Sequence, residues 1–336
     1  MESKLNQVFK YFLFKDSYFF CLLLKVVAHI ISPFGASTKI TVLIYHHVLI
    51  GNNLFDNNSV DKACFRWQMR LIKRIFNVIT LDQAVEFLNQ GVIPRRAIVI
   101  TFDEGYTDNL THAQPVLQEY DLPCTYFITG AAITSGHLWN EDINHALEYT
   151  HNTSLDLQMF DLGVLSTLTH EDKRSTASII IEKFKYQTPS VQAQWVKQLI
   201  LIAGSPSAPR QLLTAQQLLE LSNCKGVTIG CHTMTHPMFS YISAEVAKQD
   251  VLDCKQYLTE LVKKPIEHFA YPYGEYGKHF HAEHMNVIAS LDFKSAVTTD
   301  EGAVEQQSSF YMIKRFTPLD KKPIQFFMRL CLNFNK

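Results

Sequence analysis

Hydrophobic positions along this chain fall into two rhythms. Short, nearly continuous apolar runs ("KITVLIYH", "AIVITF", "CTYFIT", "VTIGC", "HFAYP", "SAVTT") are separated by longer stretches whose apolar residues recur at helical spacing, such as "DKACFRWQMRLIKRIF" and "SAEVAKQDVLDCKQYLTELV". The short runs read as buried strands and the longer stretches as helices with one apolar face. "LDQAVEFLNQG" is a further helix, closed by Gly91, and "DNLTHAQPVLQEY" follows the second strand as another. Strands that alternate with helices of this length build parallel βαβ units, and strands apolar on both faces fit a sheet covered on both sides. A barrel and a doubly wound sheet are the architectures this pattern allows.

From His137 to Leu213 the alternation lapses. The segment is mainly helical, with "LWNEDINHALEY" and "VQAQWVKQLILIAG", and it closes in the loop "GSPSAPR". It is too long for a connecting loop, so a helical insertion over about 137–213 is expected inside a domain running from 39 to 336. It would form one wall of a substrate cleft or a peripheral cap. Residues 1–38 carry the apolar segment "YFLFKDSYFFCLLLKVVAHIISPFG", interrupted by Lys10, Lys15, Asp16 and Lys25. A spanning helix needs about 20 consecutive apolar residues. The expectation is instead a helix lying on a membrane face with its lysines at the headgroups, or packed on the barrel exterior.

Composition removes several function classes. Thirty-one basic and 32 acidic residues give a net charge of -1, without the basic field that nucleic-acid binding needs. Seven cysteines, never spaced as CxxC, argue against a disulfide framework or a structural zinc ribbon. They point to a reducing compartment, hence a cytoplasmic protein with peripheral contact at the inner membrane.

Chemistry gathers where the strands end. In parallel α/β folds functional residues collect at the C-terminal edge of the sheet. Asp103 and Glu104 end "AIVITF"; His232 and His236 follow "VTIGC"; Pro272, Tyr273 and Gly274 follow "HFAYP"; Tyr45, His46 and His47 close the first strand. Two histidines four apart, with one carboxylate, can hold a divalent ion and leave the other carboxylate free as a base. Each piece alone has a plainer reading. An HxxxH pair occurs on many exposed helices, paired acids favour a helix N-terminus, Tyr45 suits a core, Trp139 suits packing as well as a sugar ring, and Asp108 and Asn109 suit a helix cap.

Together these residues resemble the NodB-type polysaccharide deacetylases. The family's TFDDG appears as "TFDEG", its H[ST]xxHP as "HTMTHP", and its PYG motif within "FAYPYG". The resemblance runs from "IYHHV" to "RFTP", and flanking stretches are similar to bacterial members associated with surface-polysaccharide synthesis. It implies a distorted (β/α) barrel of seven strands and metal-dependent removal of an N-acetyl or N-formyl group from an amino sugar. The glycan would be a bacterial cell-surface polysaccharide or its lipid-linked precursor.

By the same resemblance Asp103 is the general base, Glu104, His232 and His236 the metal ligands, and the Tyr273 N–H the oxyanion donor. The ion would be zinc, with cobalt or manganese as alternatives. His46, Tyr45, Pro272 and Arg315 are the substrate-side candidates. The chain departs from the pattern in three places. Glu104 replaces an aspartate, Ala270 stands where many relatives carry the arginine that orients the base (Arg315 being the candidate substitute, a surface strand-end arginine its plainer reading), and the late general-acid histidine has no match. His279, His281 and His284 are available, though a solvated helix start suits them better. Two other functions keep the same fold: a glycan-binding barrel without catalysis, and hydrolysis of a small non-sugar amide.

Overall fold

The computed structural model describes residues 18–32, 38–51 and 59–336; the first part of the N-terminal apolar segment, including Lys10, Lys15 and Asp16, lies outside them. Seven parallel strands close a barrel: β1 (Ile40–Tyr45), β2 (Ala97–Phe102), β3 (Cys124–Ile128), β4 (Val227–Cys231), β5 (His268–Ala270), β6 (Ser295–Glu301) and β7 (Ile313–Phe316). Each pairs with the next in the chain, and β1 pairs with both β2 and β7, which closes the ring. The barrel, not the doubly wound sheet, is therefore the architecture.

Side-chain parity follows from the registers. Val42 lies opposite Val99 on one side and Arg315 on the other. Val42, Val99, Phe127, Ala270, Val297 and Ile313 fill the lumen as one apolar cluster. The alternate positions Leu43, Tyr45, Ile98, Ile100, Phe102 and Tyr126 point outward into the core beneath the helices. Two such faces explain why the strands read as continuous apolar runs.

Helices cover the barrel. α1 (Tyr18–Ile31) is the described part of the apolar N-terminal segment. α2 (Lys62–Ile75) is capped by Asp61, whose side chain accepts the Cys64 N–H. α3 (Leu81–Gln90) begins with a Thr80–Gln83 capping box and ends at Gly91, whose φ of 69° is the left-handed turn expected there. Its Leu81, Ala84 and Leu88 seal the lumen from below.

The insertion builds its own small core. α4 (Trp139–Tyr149), α5 (His170–Phe184) and α6 (Pro189–Ala203) enclose Ile143, Leu147, Phe160, Phe184 and Leu199, with Trp195 against them. Between α4 and α5 the chain forms an antiparallel ladder, Ser154–Asp156 with Val164–Ser166. These strands of three residues are too short for a period to be read from sequence.

The helix after β2 departs from expectation at its start. Asp108 makes no cap hydrogen bond, and residues Asn109–Ala113 form a π-turn before Gln114–Glu119. Asp108 is held elsewhere, which matters for the site.

Candidate active site

The lower lumen is apolar, and the upper lumen is polar. Asp103 continues the inward parity of Val99 and Thr101, and its N–H donates to Tyr45 O at 3.0 Å, extending the β1–β2 ladder by one residue. Its carboxylate meets Arg315 in a bidentate pair, Nη1 to Oδ1 and Nη2 to Oδ2, both 2.7 Å. Arg315 is wholly buried; Nε also donates to Thr298 O at 2.6 Å and Nη1 to Thr101 Oγ1 at 3.3 Å. Such a pair fixes a carboxylate in angle as well as position.

The chain then turns sharply. Glu104 takes φ 68° and Gly105 φ 91°. A Cβ at Gly105 would lie 2.8 Å from Ile128 Cδ1, so conformation and space both require glycine. The turn aims Glu104 back over the barrel mouth, where Oε1 lies 3.8 Å from His232 Nε2 and 3.7 Å from His236 Nε2. Thr233, His236 and Tyr273 also have positive φ, 65°, 55° and 61°. Four left-handed non-glycine residues around one point are the backbone strain that folds concentrate at functional sites.

Electrostatics separates the three groups. Burial pushes the Glu104 carboxyl up, but His46, His232 and His236 facing it pull harder and hold it well below the usual range. For His232 burial lowers the imidazole, and Glu104 and Asp103 outweigh it, so the net is a rise. His236 is pulled down to about 3 by burial and by neighbouring His232. The His232 Nδ1 is engaged with Ala270 O at 2.8 Å, which turns its Nε2 toward Glu104.

These residues fit a metal ion. Glu104, His232 and His236 each bring a ligand atom within 4.8 Å of the others, and all three are buried. Glu104 Oε2 and both ring nitrogens of His236 have no hydrogen-bond partner. Buried polar atoms left unpaired are costly, and an N,N,O donor set matches divalent zinc.

Several substrate-side expectations need correction. Tyr45 is in the core, stacked on Phe102 with its hydroxyl on Gln68 Oε1 at 2.9 Å, because its parity faces outward. Arg315 faces the lumen and pairs with Asp103, as expected of the substitute for the base-orienting arginine, so it is neither at the surface nor open to substrate. Pro272 is buried, and its carbonyl accepts the Gly274 N–H at 2.6 Å, which makes it a turn former. His46 alone of the four remains at the mouth, partly exposed, with Nε2 3.8 Å from Glu104 Oε2. The Tyr273 N–H enters no hydrogen bond among the described residues.

Other residues took roles the sequence did not signal. The Asp108 carboxylate holds His47 Nδ1 at 2.6 Å and the Val48 N–H at 3.1 Å, and Asn109 Nδ2 donates to His46 O at 2.8 Å. The start of the helix after β2 thus ties down the loop carrying His46. His284 is buried against Phe239, not solvated. Burial pushes the Tyr273 hydroxyl upward.

The family model for polysaccharide deacetylases matches residues 90–294, and the chain belongs to that family. YxkH of Bacillus subtilis, named as a polysaccharide deacetylase, is 31% identical over 139 residues, 41% of this chain and 48% of that one. A poly-beta-1,6-N-acetyl-D-glucosamine N-deacetylase of Staphylococcus aureus is 28% identical over 115 residues, 34% of this chain and 37% of the relative. The chain thus matches half or less of the length of these curated relatives. Among solved structures, the Streptococcus pyogenes deacetylase PplD, in complex with acetate, superposes with TM-score 0.56 at 18% identity, covering 88% of this chain and 98% of that one. IcaB from Ammonifex degensii gives 0.57 at 15%, covering 89% and 97%. At these identities the structural likeness speaks for the fold.

Proposed function

We propose that this protein is a metal-dependent hydrolase that removes the N-acetyl group from an amino sugar of a bacterial glycan. The observation that carries the reading is the buried Glu104–His232–His236 cluster with its unpaired ligand atoms, beside an Asp103 carboxylate locked by Arg315. The named activity of the Staphylococcus aureus relative supports an N-acetylglucosamine polymer as the substrate class.

Glu104, His232 and His236 would hold the ion, zinc by its donor set, which when bound polarises an amide oxygen and acidifies a water. Asp103 accepts the proton of the attacking water on a carboxylate oxygen; each oxygen spends one lone pair on Arg315 and keeps another. The Tyr273 N–H donates to the oxygen that gains charge as the amide carbon becomes tetrahedral. The C–N bond then breaks, the amine takes a proton, and acetate leaves. His46 is the imidazole at the mouth outside the three-ligand set, and we assign it that proton transfer.

The first 38 residues we treat as a separate apolar segment, and 137–213 as an insertion in the barrel domain that walls the cleft. No described helix is long and apolar enough to cross a membrane. On α1, Leu22, Leu23, Val26 and Ile30 are exposed, which supports peripheral membrane contact. Arg95 binds the carbonyls of His29 and Ser32 at the N-terminal end of β2, the end opposite Asp103. A bilayer under α1 therefore leaves the catalytic edge facing water, which favours a glycan strand over a lipid-linked sugar. We place the chain in a reducing, cytoplasmic setting on its scattered cysteines, none spaced as CxxC.

The test is acetate release from N-acetylglucosamine oligomers by the purified chain. Turnover should be lost in Asp103→Asn while bound metal is retained; full activity in that variant would reject Asp103 as the base.

A further inference from the structure

The segment between the two histidines is held from both sides. From the β3 side, Ile128 O accepts the His232 N–H at 2.9 Å, and the N–H groups of Gly130 and Ala131 donate to Thr233 O at 3.0 Å and Met234 O at 2.8 Å. Gly130 leaves room for this contact, since a Cβ there would lie 2.6 Å from Met234 Sδ. Within the turn, the His236 N–H donates to Thr233 Oγ1 at 3.0 Å.

Three further donors of the turn go to one carboxylate. Asp250, on α7 (Ala244–Val262), accepts the Met234 N–H at 2.6 Å on Oδ1, and the Thr235 N–H at 3.2 Å and hydroxyl at 2.6 Å on Oδ2. Thr233 and His236 both have positive φ, a conformation that persists only where the surroundings over-determine it. Ligand geometry held on a rigid helix is more exact than geometry left to a loop.

We infer that Asp250 is a positioning residue for the metal centre: its carboxylate sets the turn that spaces His232 and His236 around one ion. The inference rests on reading Glu104, His232 and His236 as metal ligands. Asparagine at 250 presents an NH2 where one of the donors needs an acceptor, so it is a near-isosteric test of the hydrogen bonding.

The experiment titrates cobalt(II) into the metal-free full chain, reading affinity, the visible spectrum of the bound ion and the thermal midpoint before metal is added. Asp250→Asn and Asp250→Ala should weaken cobalt binding roughly 10- to 100-fold, the usual range for groups that orient ligands, and alter the spectrum. Asp250→Glu, which keeps the acceptor, should lose less than Asp250→Asn. Asp253→Asn, at an exposed position on the same helix, should match the wild type. If Asp250→Asn lowers only the thermal midpoint and leaves affinity and spectrum unchanged, Asp250 is merely structural and the inference falls. A wild type that takes up no cobalt would overturn the metal reading and this inference with it.

Discussion

Arg315 shows how much one residue can carry here. Its guanidinium is wholly buried and its main anionic partner is Asp103. Removing one member of a buried pair leaves an uncompensated charge and costs about 3–5 kcal/mol. Arg315→Met should therefore destabilise the fold by about that amount in urea denaturation and also impair turnover; a loss under 1 kcal/mol would mean that Asp103 finds another partner. No local signal carried the pairing, because 212 residues separate the two and only barrel closure through β7, β1 and β2 joins them; it was reached through the family pattern, with Arg315 as the substitute for the missing arginine. Asp103, Glu104, His232 and His236 were legible, since parallel strands deliver their ends to one edge. Tyr45 was misread by a single step of parity: one residue's shift along a strand exchanges lumen for outer core.

At the scale of elements, strand parity also explains Gly230. It faces the lumen in β4, where an added Cβ would meet Phe127 Cδ1 at 2.4 Å and His268 O at 3.1 Å. Gly230→Ala should overpack the lumen and cost about 1–3 kcal/mol, read as a lower denaturation midpoint with an unchanged slope. A neutral effect would mean that the Phe127 ring has somewhere to move. The helices were legible because their caps and apolar spacing are local signals, as in Thr80–Gln83 and Gly91. The short ladder in the insertion was not, since strands of three residues carry no readable period, nor was the π-turn after β2, since its Asp108 is held by contacts distant in sequence.

Across the whole molecule the barrel has two unlike ends. At the sealed end His268 Nδ1 lies 2.8 Å from Ser295 Oγ, and Nε2 lies 3.3 Å from Asp82 Oδ1. This serine–histidine–aspartate order is no second catalytic site, because His268 and Ser295 are fully buried; it ties α3 to the barrel floor. The His268 imidazole facing it and the nearby Lys294 hold the Asp82 carboxyl well below its usual value. A carboxyl depressed in the folded state stabilises it above the unfolded value of about 3.9, and that contribution fades as pH falls toward the folded value. Wild type should thus exceed Asp82→Asn in stability at pH 7, with the gap narrowing progressively below about pH 4; a gap that widens in acid would reverse the sign of the linkage. Both ends follow from the same fold, and among the described residues the Glu104, His232 and His236 ligand atoms converge at the open end.

The most direct test follows acetate release from an N-acetylglucosamine oligomer while zinc is titrated into chelator-treated protein. Activity should be absent without metal and rise to a plateau at one ion per chain. Acetate release that ignores the metal, or glycan binding with no release at any metal level, would contradict the assignment of Glu104, His232 and His236 as the centre of a deacetylase.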